Sequence, residues 1–335
     1  MNLANYSTNQ KIRLQNTLKL NTTRWGLAMT ENTTENYEKI EFESEGATLR
    51  GRLYRPASGT ANAPAVVMAH GFGALAIWLT DVAVDLAQAG FAVLLFDHRN
   101  FGESDGEPRY GFDTLLQIRG YRDAITFLEK QTGIDKQKIA AWGESASSLV
   151  VQFIGVFDDR VRAVIARTPV CGNSTTKFDE SPEKFEWLRH NWSSLDLSTV
   201  PVRELAVRFC RLHEGEGPVI VEGGAAVSYA TRVRKKYATE WSNQVYVLQR
   251  KLEAQFNEQR LPAKYLKVPT LFVIATDDEV PLCELATNRK CFDLIEAPKD
   301  LLEITGGHFG LINHDSEPYR QAVSADITFL RGVLK

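Results

Sequence analysis

The order of apolar runs along the 335-residue chain predicts an α/β protein. It should be a mainly parallel sheet flanked by helices, with an inserted helical cap. Three observations lead there. Short continuous apolar runs, of the kind that strands buried on both faces require, alternate with segments of helical period. The alternation stops near Cys171 and resumes near Pro269. The stretch between is rich in charge and aromatics and holds no clear buried strand except Val219-Ile220-Val221.

Ile40-Glu41-Phe42-Glu43 and Leu49 to Tyr54 alternate around Ser44-Glu45-Gly46, which predicts an antiparallel opening pair. Ala65 to Ala69 and Phe91 to Phe96 read as buried strands, separated by a helix from about Ile77 to Ala89 that closes at Gly90. Leu116, Ile118, Tyr121, Ile125 and Leu128 give Thr114 to Lys130 helical spacing. Lys138 to Trp142 is a strand, Ser147 to Phe157 a helix, and Val161 to Ala166 a strand. In the cap, Val227 to Leu261 reads as helix with many paired charges. Pro269 to Ala275 and Leu301 to Ile304 are the last strands, with helices around Leu282 to Phe292 and Glu317 to Leu334. The expected organisation is a polar, flexible extension (1–36), a core in two parts (37–170 and 268–335), and a helical insertion (171–267).

The formal net charge of -3 gives no electrostatic reason to expect nucleic acid as a partner. Four cysteines without C-x-x-C spacing read as reduced thiols in a cytoplasmic protein. No apolar run approaches a membrane span. The first thirty residues lack Asp and Glu but carry Lys11, Arg13, Lys19 and Arg24. That composition suits a polar tail, or alternatively an organellar transit segment.

Four loops at predicted strand ends carry chemistry, where open parallel sheets place their ligands. Gly143-Glu144-Ser145-Ala146-Ser147 puts Ser145 between small residues, as a sharp strand-to-helix turn requires. A serine hydroxyl is a poor nucleophile until a base takes its proton. His308, within Gly306-Gly307-His308-Phe309-Gly310, is the candidate base. Asp277, first off its strand in Ala275-Thr276-Asp277-Asp278-Glu279, is the candidate to orient the imidazole, with Asp278 the alternative. In His70-Gly71-Phe72-Gly73 the glycines let backbone amides turn inward. The Phe72 and Ala146 amides are the candidate oxyanion hole. His70 is expected to pack beneath its loop, and His98, His190, His213 and His314 share no metal-ligand spacing. No phosphate loop or dinucleotide fingerprint is present, so neither cofactor nor metal is expected.

From Tyr37 to Lys335 these motifs together resemble the α/β-hydrolase superfamily. Asp97-His98-Arg99-Asn100-Phe101-Gly102-Glu103-Ser104 is similar to its D-x-R-G-x-G-x-S loop. With Ser104-Asp105-Gly106 and Gln117 to Ile125, it resembles a dienelactone-hydrolase-related subgroup that includes polyketide transferases and tailoring hydrolases of secondary metabolism. Asn100 and Ser147 stand where the family pattern has glycine. The resemblance implies attack of Ser145 on an ester, thioester or amide carbonyl and resolution of the acyl-enzyme by water or another acceptor. The substrate would be a small-molecule or carrier-bound acyl group. The same triad also supports C–C bond cleavage or ring closure, and a non-catalytic binding protein on this fold is a further alternative. The oligomeric state is not legible.

Overall fold

In the computed structural model, the described residues are 36–56, 61–175, 182–213, 215, 217–237, 240–250 and 261–334. The expectations for residues 1–35 lie outside them. The main sheet is formed by β1 (Tyr37–Ser44), β2 (Ala47–Tyr54), β3 (Ala63–Ala69), β4 (Ala92–Phe96), β6 (Ile134–Glu144), β7 (Val161–Arg167), β11 (Thr270–Ala275) and β12 (Lys299–Ile304). Their spatial order is β1-β2-β4-β3-β6-β7-β11-β12. The pairings of β2 with β1 and with β4 are antiparallel, and all the others are parallel. The sequence placed each of these strands to within a few residues.

Alternation along the buried strands feeds two cores. Ala65, Val67, Leu94 and Phe96 point to the face covered by α2 (Thr114–Leu128), α3 (Ala146–Phe157) and α7 (Leu285–Asp293). Val66, Met68, Val93 and Leu95 point to the opposite face, under α1 (Thr80–Gln88) and α9 (Glu317–Val333). Local chemistry fixes the helix starts. Asp113 caps α2 by accepting from the Leu115 and Leu116 amides at 3.1 and 3.2 Å, and Ser316 caps α9 through the Tyr319 amide.

The inserted segment departs from the helical expectation, because it is mixed. It holds α4 (Pro182–Asn191), β8 (Val202–Cys210), β9 (Val219–Val221), α5 (Gly224–Tyr237), β10 (Gln244–Arg250) and α6 (Leu261–Tyr265). The single helix expected from Val227 to Leu261 is α5 followed by β10; residues 251–260 lie outside the described ones. A second sheet runs β5-β10-β8-β9, where β5 (Gly111–Phe112) precedes α2, so strand pairing joins the inserted segment to it. Val207, Phe209 and Val245 turn one side of this sheet into a third apolar cluster with Trp78, Tyr229 and Phe309. Arg119 adds a polar tie, donating to the Trp192 carbonyl from two nitrogens (3.0 and 2.7 Å) and to the Leu195 carbonyl at 2.6 Å. No helix among the described residues is long and apolar enough to cross a membrane.

Candidate active site

β3 lies between β4 and β6, so the loops that leave β3 and β6 emerge side by side at the carboxyl edge of the sheet. Ser145 follows β6 directly, and α3 begins at the next residue. Its backbone sits at φ 51°, ψ −125°, a region that non-glycine residues rarely occupy. The strain is held from below, where the Ser145 amide donates to the Arg167 carbonyl at 3.0 Å and to Thr168 Oγ1 at 3.2 Å. Small neighbours are a steric necessity. A Cβ on Gly143 would lie 2.3 Å from the Ser147 carbonyl oxygen.

Ser147 has a separate role. Its hydroxyl donates to the His70 carbonyl at 2.5 Å and lies 2.9 Å from His98 Nε2. His70 Nε2 accepts the His98 amide at 3.2 Å, which leaves its Nδ1–H to donate to the Gly71 carbonyl at 2.9 Å. Burial lowers the pKa of both rings, so this pair is neutral packing beneath the loop. Asn100, at φ 74°, takes the left-handed conformation that the family glycine would supply. Asp97 ties neighbouring turns together through the Ala76 and Glu103 amides, at 2.7 and 3.1 Å.

His308 stands on the short turn α8 (Gly307–Gly310) after β12. Its Nδ1 lies 2.9 Å from Asp278 Oδ2 and 3.1 Å from Oδ1, and the two side chains are 3% and 2% exposed. Asp277, the sequence's first choice, faces elsewhere. Its Oδ1 accepts the Gly306 and Gly307 amides at 2.8 and 2.9 Å and so shapes the histidine's own turn. The carboxylate at the imidazole is therefore Asp278. Burial pulls the His308 pKa down, but Asp278 outweighs it and holds the value well above the ordinary histidine range. Burial pushes the Cys283 thiol up to about 12. Asp278, Cys283 and His308 bring one donor atom each to within 4.8 Å of one another, the one such set among the described residues. There the carboxylate and imidazole already bond each other.

Ser145, His308 and Phe72 line one narrow pocket, with a cavity of about 20 Å³, whose remaining wall includes Trp78, Phe209, Tyr229, Phe309 and Ile312. Phe209 and Tyr229 come from the inserted segment, on β8 and α5. The pocket is thus apolar and largely aromatic, apart from Glu144, Ser145 and His308. Trp241 of the inserted segment donates to the Gly73 carbonyl at 2.6 Å, which pins the far end of the Phe72 loop. Ala146 is the first residue of α3, so its amide lies at the helix's positive end.

Two contributors escaped the sequence reading. Tyr121 receives the Ala69 amide and donates to the Trp142 carbonyl, both at 2.8 Å, and so fixes the ends of β3 and β6. Glu144, beside the serine, is 3% exposed and accepts the Gly71 amide at 2.7 Å. Burial raises the Glu144 pKa, although His308 and the Gly71 amide oppose the rise.

A family model for the alpha/beta hydrolase fold matches residues 64–315. The chain is 31% identical to polyketide transferase claH of Penicillium crustosum, over 89% of this chain and 98% of that one. It is 45% identical to thiohydrolase aneE of Aspergillus aculeatus over 142 residues, a match spanning 42% of this chain and 44% of the relative. Among solved structures, the alpha/beta hydrolase GrgF from Penicillium sp. sh18 superposes with a TM-score of 0.63 at 24% identity, covering 89% of this chain and 99% of the other. The DcsB complex with its substrate analogue gives 0.66 at 23%, with the same coverage. The chain belongs to the alpha/beta hydrolase fold family, as an enzyme of the hydrolase or acyltransferase type.

Proposed function

We propose that the chain cleaves an acyl thioester or ester through a covalent acyl-enzyme on Ser145, and passes the acyl group to water or to a second substrate. The observation that carries this reading is a serine in a strained elbow that shares a pocket with an imidazole paired to a buried carboxylate. In the reaction, Ser145 Oγ attacks the carbonyl carbon while His308 takes the hydroxyl proton. Asp278 accepts from Nδ1–H and stabilises the imidazolium. The Phe72 and Ala146 amides receive the oxyanion. Collapse expels the thiolate or alkoxide, which leaves with the proton from His308. Water or an acceptor alcohol or amine then gives its proton to His308 and attacks the acyl carbon, and collapse of this second tetrahedral intermediate breaks the acyl–Oγ bond as His308 returns the proton to Ser145.

The aromatic wall supports an apolar acyl group, and the names of the relatives, polyketide transferase and thiohydrolase, support a polyketide-type thioester of secondary metabolism. Such a group arrives on a small thiol or a carrier. The test is thiol release from N-acetylcysteamine thioesters of aromatic and aliphatic acids, with and without added alcohols or amines. Release that depends on Ser145 supports the reading, and the ratio of acid to transferred product decides between hydrolysis and transfer. No release from any thioester or ester by a folded protein overturns it.

A further inference from the structure

The mechanism above leaves one buried carboxyl in the pocket unused. Glu144 precedes the nucleophile, yet its side chain crosses to the neighbouring loop, where Oε1 accepts the Gly71 amide at 2.7 Å. The approach is close enough that a Cβ on Gly71 would lie 2.7 Å from Oε1 and 2.8 Å from Ser145 Cβ. The next amide along that loop belongs to Phe72. Glu144 therefore joins the elbow that carries Ser145 and Ala146 to the loop that carries Phe72, at the residue next to Phe72, whereas the Ser147 hydroxyl joins them one residue further back, at the His70 carbonyl.

We propose that Glu144 is a positioning residue that sets the Phe72 amide against the elbow through its hydrogen bond to Gly71, and that it works as an acceptor at a fixed distance and not as a charge. The inference rests on the serine mechanism proposed above. An acceptor role has a recognisable signature. Glutamine keeps a carbonyl oxygen at the same reach without the charge. Aspartate keeps the charge but withdraws the acceptor by one methylene. Alanine removes both. Loss of one oxyanion donor costs about 10²–10³-fold in kcat, so a misplaced one should cost on the order of ten- to a hundredfold, with KM changed less than about threefold.

The experiment compares thioester turnover and the rate of fluorophosphonate labelling in wild type, Glu144→Gln, Glu144→Asp and Glu144→Ala, with thermal melts to identify folded variants. The expected order is Gln near wild type, with Asp and Ala both slow in kcat and in labelling. Should alanine fail to fold, the Gln–Asp contrast still decides. Glutamine as impaired as aspartate, or aspartate as active as wild type, overturns the inference alone. A folded wild-type protein that takes no label and turns over no thioester or ester overturns the serine mechanism and this inference with it.

Discussion

His308 is oriented by Asp278, at 2.9 Å from Nδ1, while the adjacent Asp277 turns away to hold the Gly306 and Gly307 amides. Two consecutive carboxylates thus serve one histidine, one by contacting its ring and the other by shaping the turn it stands on. Glu279 adds a third tie, accepting the His308 amide at 2.7 Å.

The two aspartates should separate by function. Asp278→Asn should lower kcat by about 10²–10⁴-fold, because the imidazole loses its orientation and the charge that stabilises imidazolium. Asp277→Asn keeps an acceptor for the turn and should stay within about threefold of wild type. Steady-state kinetics on any turned-over ester decides. Equal losses in both variants would contradict the assignment.

The pH profile follows from the same pair. His308 accepts a proton only when neutral; burial pulls its pKa down, but Asp278 outweighs that and holds it above the ordinary range. The acid limb of kcat/KM should therefore have its midpoint above about 6.5, and activity should rise with pH through it. Asp278→Asn should move that midpoint down. A wild-type midpoint at or below the ordinary histidine value would contradict the ion pair.

Much of this was legible in the chain. Strands buried on both faces, such as Ala65 to Ala69, carry enough continuous apolar character to be read alone, and the loops after them then fall at one sheet edge. The strands of the inserted segment were harder. β8 exposes its first five residues, so Val202-Arg203-Glu204-Leu205 shows no buried run. The charges around β10 resemble a solvated helix face, although Val245-Tyr246-Val247 is a β-favouring core. The choice between Asp277 and Asp278 rests on which way a turn after β11 rotates successive side chains, and no spacing rule carries that information. Glu144 was hidden because its partner is a backbone amide 73 positions away.

The departure from the elbow pattern has a measurable consequence. Ser147→Gly restores the family residue but removes the hydroxyl between the His70 carbonyl and His98 Nε2. The variant should lose about 1–3 kcal/mol of stability, since a buried ring nitrogen is left without its partner. Turnover per folded molecule should change less than about threefold. Denaturant melts and active-site titration separate the two effects. Unchanged stability would show that the hydroxyl bridge contributes little.

Behind the elbow, Arg167 and Asp326 form an ion pair, both fully buried, and Asp326 Oδ2 also accepts Trp142 Nε1–H at 2.8 Å. Asp326→Ala leaves the guanidinium buried and uncompensated and should cost about 3–5 kcal/mol. Arg167→Met combined with Asp326→Leu should recover part of that loss, because the uncompensated charge is gone. A double variant less stable than the single would contradict this account.

The most direct test of the central claim is intact mass after treatment with a fluorophosphonate, followed by peptide mapping, in wild type, Ser145→Ala and His308→Ala. The account predicts a single adduct on Ser145 that is absent from Ser145→Ala and formed far more slowly in His308→Ala. A folded wild-type protein that takes no label and hydrolyses no p-nitrophenyl ester would contradict the account and point to a binding protein on this fold.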